Sequence, residues 1–279
     1  MTGAPPLASG KDHTQENFPV ASWLVRANAR APIMSFYRFA RACDDIADHE
    51  TASATEKRAL LATMRAGLLG IGAPEAMALA AAVLPRGLDL VHAHDLLEAF
   101  ERDCTVDRYA DWAGLMGYCR YSAMPVGRFV LDVHGEDRAL WPMNDALCAA
   151  LQIINHLQDC GKDFRAIGRV YIPTTLLDAA GVPVSALGQA RACAGLLGVI
   201  HGLAGQTAEL LRQSAPFACA IKDGRLAAEV ALIQCLAEDL VWLLMTRDPL
   251  SQKVHHGKAR AASLALRGLL RHGWARMMP

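Results

Sequence analysis

Acidic side chains stand in two clusters whose spacing is typical of a site for a divalent cation. In the first cluster Asp44 and Asp48 are four residues apart, so they share one face of a helix, with Asp45 about 100° around the axis. Like charges at this spacing destabilise a helix by about 0.2–0.5 kcal/mol per pair. We therefore expect a compensating interaction, which a bound cation would supply.

The second acidic cluster lies in a long apolar segment. Asn155, Asp159 and Asp163 recur every four residues and would line one stripe of a single helix. Apolar neighbours such as Ile46 in the first cluster and Ile154 in the second indicate that both clusters emerge from buried helices. A non-catalytic network of salt bridges is the alternative that the spacing leaves open.

Carboxylate and amide oxygens suit Mg²⁺, which commonly binds through a few carboxylates together with substrate phosphates. Arg41 lies beside the first cluster and Arg169 follows the second, and both are candidates to bind phosphate oxygens. Tyr37, Tyr118 and Tyr121 are candidates to stabilise a carbocation by their ring faces, with core packing as the alternative for each. The residues predict a Mg²⁺-dependent enzyme that ionises a prenyl diphosphate, with the metal as Lewis acid.

Composition excludes several other classes of protein. The 279 residues carry 28 Lys and Arg against 28 Asp and Glu, so no net charge favours nucleic acid. The eight cysteines are scattered without metal-ligand spacing, which is typical of reduced thiols in a cytoplasm. The polar first twenty residues do not fit a signal peptide, and no apolar run is long enough to span a membrane. We expect a cytoplasmic protein.

Apolar residues recur at helical spacing almost throughout the chain, which predicts an all-α fold in a single domain, residues 1–279. Residues 1–15 are expected to be flexible. Ser53 and Glu56 predict a capping box that opens a helix, Pro125 should break a helix that runs from 107 toward 132, and Asn144 is expected to cap a helix that reaches about Arg165. Further helices are predicted over 185–214, 225–246 and 258–276.

Residues 253–279 predict a basic amphipathic terminal helix, in which Lys and Arg alternate with leucines. Two interpretations of this helix have equal support. It rests on an anionic membrane surface, where an apolar substrate would reside, or it packs on the core with its basic side in solvent.

Longer stretches of the sequence resemble the squalene/phytoene synthase family. The strings are YRFARACDDIAD, YCRYSAMPVGR, NHLQDCGKDFRAIGRVYIP and the opening KDHTQENFPVAS, and the resemblance extends from about Gly10 to about His256. The opening and YCRYSAMPVGR are similar to the branch that acts in bacterial hopanoid biosynthesis. The resemblance implies an isoprenoid-synthase helical bundle with a central apolar cavity.

The resemblance also implies roles for individual residues. The two acidic clusters would bind Mg²⁺ through the six residues already named, and Tyr121 would take part in cation chemistry together with Asp44, Asp48, Asp159 and Asp163. Diphosphate would be bound by a set of polar residues: Tyr37, Arg41, Gln152, Arg169, Tyr171 and, by a loose match, Asn17. Gly161 and Lys162 precede Asp163 where many relatives carry an acidic residue, so Lys162 would reduce the local negative charge.

For the hopanoid branch the implied reaction converts presqualene diphosphate and water to hydroxysqualene and pyrophosphate, a carbon–oxygen lyase reaction that consumes no reductant. The nearest alternative is a transferase of the same fold that condenses two farnesyl diphosphates. Alternatives of another class are a non-catalytic assembly protein and a prenyl-lipid carrier. Expected partners are the prenyl diphosphate, enzymes of the same pathway and, peripherally, the inner face of the membrane.

Overall fold

The computed structural model describes residues 26–49 and 51–277, apart from the side chains of 271, 272 and 274–277. Asn17 and residues 1–15 therefore lie outside the described residues. The chain divides into two compact units, one formed by residues 1–106 and 125–137 and the other by residues 107–124 and 138–279. The expectation of a single domain remains a prediction.

Among its described residues the first unit contains five α-helices, of which the last begins one residue before the unit boundary. They are α1 (Ala27–Ala47), α2 (Ala54–Leu68), α3 (Pro74–Val83), α4 (Val91–Asp103) and α6 (Met124–His134). Their apolar faces meet in one core, in which the rings of Phe36 on α1 and Phe129 on α6 stack with centroids 4.1 Å apart. This core fixes α1, the helix that carries the first acidic cluster.

The second unit is built around a 27-residue helix. Its helices are α5 (Trp112–Ser122), α7 (Trp141–Ile167), α8 (Thr174–Ala179), α9 (Ala194–Ser214), α10 (Phe217–Ala220), α11 (Gly224–Leu244) and α12 (Lys258–Met277). The long helix α7 packs against α9 and α11, and α12 packs along α11. The second acidic cluster is thus held on the central helix of its unit.

Two local predictions from the sequence are confirmed. The Ser53 hydroxyl accepts a hydrogen bond from the Glu56 amide, and the Glu56 carboxylate accepts one from the Ser53 amide at 2.8 Å, which together form the capping box of α2. Helix α5 ends at Ser122 and α6 begins at Met124, so the chain breaks beside Pro125 as expected.

Other helix boundaries are wrong in the prediction. Asn144 does not cap α7, because the helix begins three residues earlier and the Asn144 amide instead donates to the Met124 carbonyl at 3.4 Å. The segment expected to be helical from 107 is extended as far as Asp111, since its backbone pairs with the chain after α7. Helix α9 begins at Ala194 rather than 185, because a short 3-10 helix occupies Val184–Gly188.

Helices account for nearly all regular structure in the described ranges, where a single isolated bridge joins Arg108 and Val170 and no strand is formed. All eight cysteines are free thiols, as their scattered spacing indicated. None of the helices in the described part of the chain combines the length and the apolar character needed to cross a bilayer.

Candidate active site

The first acidic cluster lies at the C-terminal end of α1. Arg41 forms ion pairs with both neighbouring carboxylates, at 2.9 Å to Asp44 and 2.6 Å to Asp45. Asp48 follows the last residue of the helix, but its amide still donates to the Asp44 carbonyl at 2.9 Å, so it continues the helical turn. The structure thus brings together Arg41 and the three aspartates that the sequence singled out.

The charge of this cluster is poorly balanced. Burial, and after it the charge of Asp48, raise the pKa of Asp44 to about 7, and the opposing effect of Arg41 does not cancel them. The side chain of Asp44 nevertheless keeps 38% of its surface accessible, so protein atoms crowd the carboxylate without sealing it from a ligand. A bound divalent cation would offset the repulsion between these carboxylates. Carboxylate oxygens are also the ligands that Mg²⁺ prefers.

The second cluster forms one partly exposed stripe on α7. Gln152, Asn155, Asp159 and Asp163 recur at intervals of three or four residues, while the apolar side chains between them are buried. Gly161 stands on a buried face, where an added Cβ would lie 3.3 Å from the Leu187 carbonyl oxygen. The glycine of this motif therefore permits close packing of α7, whereas Lys162 beside it is exposed.

The loop after α7 presents Arg169 and Tyr171. Helix α7 ends at Ile167 and is capped by Gly168, whose φ of 69° is in the left-handed region that glycine adopts without strain. Arg169 is buried and donates from Nη1 to the Tyr171 hydroxyl at 3.2 Å. A buried guanidinium next to a phenol is suited to binding an anion such as diphosphate.

A neighbouring extended segment, residues 107–111, holds this loop in place. The amide of Val170 donates to the Asp107 carbonyl at 2.9 Å, and the amide of Thr174 donates to the Tyr109 carbonyl at 2.9 Å. The Arg108 guanidinium adds a bond to the Gly168 carbonyl at 2.5 Å. Sequence reasoning missed Arg108, because it assigned the segment to a helix.

Three aromatic rings gather around Tyr171. Its ring stacks on His156 with centroids 3.3 Å apart and lies 5.5 Å from Tyr118 and 5.7 Å from Tyr109. His156 also forms a hydrogen bond of 3.0 Å with Gln152, one turn earlier on α7. Burial, and then the charge of Arg169, lower the pKa of His156 to about 3, so the imidazole is neutral near pH 7. The four-residue spacing from Gln152 is the signal that would have identified His156.

The remaining candidates of the sequence analysis are placed separately. Tyr121 is partly exposed on α5, where the guanidinium of Arg120 lies 5.6 Å from its ring centroid. Tyr37 is partly exposed on α1, one turn before Arg41. Asn17 lies outside the described residues, so its proposed contact with diphosphate has no structural counterpart here.

Among the described residues, no group of three or more His, Cys, Asp or Glu side chains is arranged to hold a metal ion by itself. Mg²⁺ commonly binds proteins through one or two carboxylates and takes its other ligands from water and substrate phosphates. Each acidic cluster therefore fits a magnesium site that substrate would complete.

The fold defines the class of protein. The chain superimposes on a dehydrosqualene synthase with a TM-score of 0.80 and 19% identity, covering 93% of each chain. It matches a squalene synthase from Alicyclobacillus acidocaldarius with a TM-score of 0.69 and 28% identity, over 89% of this chain and 88% of the other. The predicted all-α isoprenoid-synthase fold is confirmed.

Sequence comparison then identifies the family. Residues 11–260 match the squalene/phytoene synthase family. A hydroxysqualene synthase from Zymomonas mobilis is 53% identical over 93% of this chain and 89% of its own length. One from Rhodopseudomonas palustris is also 53% identical, over 91% and 88%. The chain belongs to the squalene/phytoene synthase family, as the motifs predicted, and is an enzyme of that family.

Proposed function

We propose that this protein converts presqualene diphosphate and water to hydroxysqualene and pyrophosphate with the help of Mg²⁺. The observation that carries the proposal is the clustering of carboxylate and amide side chains at the end of α1 and along α7, in a chain that is 53% identical to hydroxysqualene synthases over most of its length. Both clusters have accessible polar side chains beside buried apolar residues of the same helix, which suits a reaction that must exclude most water but admit a substrate.

The metal ligands in this proposal are Asp44, Asp45 and Asp48 of the first cluster and Asn155, Asp159 and Asp163 of the second. When bound, Mg²⁺ supplies Lewis acidity to the leaving oxygens of the diphosphate. Arg41 forms ion pairs with two of these aspartates. We expect its guanidinium to exchange a carboxylate for a phosphate oxygen when diphosphate binds.

Diphosphate is bound in this proposal by Arg41, Arg169 and Tyr171, with Tyr37, Gln152 and Asn17 as further contacts. The carbon–oxygen bond breaks with both electrons on the departing pyrophosphate, and the cyclopropylcarbinyl cation rearranges. The ring of Tyr121 faces the cation and stabilises it through its π-electrons. Water then forms the new carbon–oxygen bond and loses a proton, so no reductant is consumed.

The test is to supply purified protein with presqualene diphosphate and Mg²⁺, without NADPH, and to identify the product by mass spectrometry. Hydroxysqualene is the expected product. A product from farnesyl diphosphate alone would show a condensing transferase instead. Binding of the diphosphate without turnover would show a carrier.

Variants test the ligand assignment. Asp44→Asn and Asp159→Asn should each lower the rate of pyrophosphate release by at least about 10²-fold, since each removes charge that acts on the leaving group. Asp178→Asn on α8 is the matched control, because Asp178 is an exposed aspartate outside both clusters. Unchanged release in the two cluster variants would refute the metal-binding role.

We also propose that the enzyme works in the cytoplasm at the inner face of the membrane, close to the enzymes that supply its substrate and consume its product. Its substrate carries two long prenyl chains, which partition into lipid. The contact with the bilayer would be peripheral.

A further inference from the structure

The side of α12 that faces away from the protein is apolar. Leu264 and Gly268 are buried against α11, whereas Leu266 is 60% exposed and Leu270 is 65% exposed. At about 100° per residue, Leu266 and Leu270 lie on the opposite face from the buried pair. The terminal helix therefore packs on the protein and still presents large apolar side chains outward.

Specific contacts fix α12 in this orientation. An added Cβ at Gly268 would lie 3.1 Å from the Ala231 carbonyl oxygen of α11, so the two helices approach closely there. At the other end, Arg260 donates two hydrogen bonds of 2.7 and 2.6 Å to Asp239 of α11, and His256 contacts the same carboxylate at 2.9 Å. The outward direction of the leucines is thus a property of the folded protein.

Exposed apolar side chains continue onto α11. Trp242 is 53% exposed, and the guanidinium of Arg260 lies 5.4 Å from its ring centroid. Met245, directly after α11, and Leu269 of α12 are exposed as well. An exposed tryptophan with a basic residue beside it is typical of side chains at the boundary between lipid and water.

The charge of α12 selects among partners for this surface. The helix sequence contains five Lys or Arg residues and no Asp or Glu, and both Lys258 and Arg267 are exposed. In a symmetric dimer through this face, each basic helix would lie against its own copy, which places like charges together. An anionic lipid surface complements both the apolar and the basic side chains.

We propose that the outward face of α11 and α12 docks on an anionic bilayer through an apolar docking surface, formed by Trp242, Met245, Leu266, Leu269 and Leu270. The inference rests on the proposed function in one respect, which is that docking would deliver a prenyl substrate from lipid to the enzyme. The leucines enter the interfacial region while Lys258 and Arg267 contact lipid phosphates.

Co-sedimentation of the full chain with vesicles tests the docking surface. We expect the protein to bind vesicles that contain phosphatidylglycerol, to bind phosphatidylcholine vesicles much more weakly, and to be released by salt. The double variant Leu266→Glu/Leu270→Glu should weaken binding at least about tenfold, because it replaces two apolar contacts with charges of the wrong sign. Arg267→Glu is an independent second variant with the same expected direction.

The matched control is Leu69→Glu/Ile71→Glu. These two residues, between α2 and α3 in the other unit, are 79% and 82% exposed, so the change is equal in size and polarity. The control variant should bind vesicles as the wild type does. Equal loss in both double variants, or no binding of the wild type to anionic vesicles, would overturn the proposal.

Two further measurements distinguish membrane docking from a dimer interface and from a failure of the proposed reaction. Light scattering after size exclusion would reveal a dimer that Leu266→Glu/Leu270→Glu dissociates, and that result would assign the surface to a second copy. Pyrophosphate release from presqualene diphosphate in detergent micelles should be the same in this variant and in the wild type. If no form of the protein turns over the substrate, the proposed reaction fails while the vesicle result still stands.

Discussion

Lowering the pH of the metal-free protein from 7.5 to 5 should destabilise the wild type much more than a His156→Phe variant. Burial and the charge of Arg169 lower the pKa of His156 to about 3 in the folded protein, against 6.5 for an ordinary histidine. At pH 7.5 the ring is neutral in both the folded and the unfolded state, so it has no effect. Below pH 6.5 the histidine becomes protonated in the unfolded chain but stays neutral in the folded protein, so the free energy of unfolding falls.

The size of this loss follows from the shift. At pH 5 the pH lies about 1.5 units below the pKa of the histidine in the unfolded chain. At about 1.36 kcal/mol per unit, protonation of the unfolded chain lowers the free energy of unfolding by about 2 kcal/mol. Phenylalanine keeps an aromatic ring to stack on Tyr171, which lies 3.3 Å from the His156 ring centroid, but it cannot take up a proton. The loss of the hydrogen bond to Gln152 is the same at both pH values and cancels in the comparison.

Urea unfolding followed by circular dichroism at both pH values measures the effect. The free energy of unfolding should fall by about 2 kcal/mol more in the wild type than in His156→Phe between pH 7.5 and 5. An equal fall in the two proteins would refute the reasoning. So would an imidazole resonance of His156 that titrates near pH 6.5 in the folded protein.

Two further substitutions test each half of the candidate site. Asp44→Asn should raise the melting temperature of the metal-free protein at pH 8 but not at pH 4. Burial beside Asp48 raises the pKa of Asp44 to about 7, so ionisation of this carboxyl destabilises the folded protein progressively as pH rises above about 4. An equal gain in melting temperature at both pH values would contradict this. Arg108→Gln removes the bond to the Gly168 carbonyl and should cost about 1–2 kcal/mol of stability and raise KM for the diphosphate substrate more than it lowers kcat, since Arg169 is then less well positioned. Steady-state kinetics and urea unfolding check this second variant, and an unchanged KM would count against it.

The sequence predicted correctly those features of the fold that depend on residues close together in the chain. The capping box at Ser53 needs only residues within one turn, and the break at Pro125 follows from its missing amide hydrogen. Asn144 illustrates the limit, because its preference for a helix cap gave way to a tertiary hydrogen bond with Met124. The prediction of a helix over segment 107–111 was wrong for the same reason, because its hydrogen-bond partners lie in the chain after α7, which is distant in sequence.

The candidate site divides along the same line. The carboxylates could be read from four-residue spacing, because ligands on one helix repeat with its period. The stack of His156 on Tyr171 and the bond from Arg108 to Gly168 join residues 15 to 60 positions apart, and no periodic pattern encodes them. The candidate ligand-binding residues were therefore accessible from the sequence, whereas the contacts that hold Tyr171 and the loop after α7 required the structure.

The hydrogen bonds between segment 107–111 and the loop after α7 use mostly main-chain atoms, which every amino acid carries. Most side-chain replacements at Asp107 or Ala110 would leave the course of the loop unchanged while altering the chemical lining around it. Proline is the exception at Val170, Thr174 and Thr175, where the amide hydrogen itself is the donor. Substitutions in this segment can therefore change the side chains beside the candidate diphosphate site while the backbone that holds Arg169 and Tyr171 keeps its course.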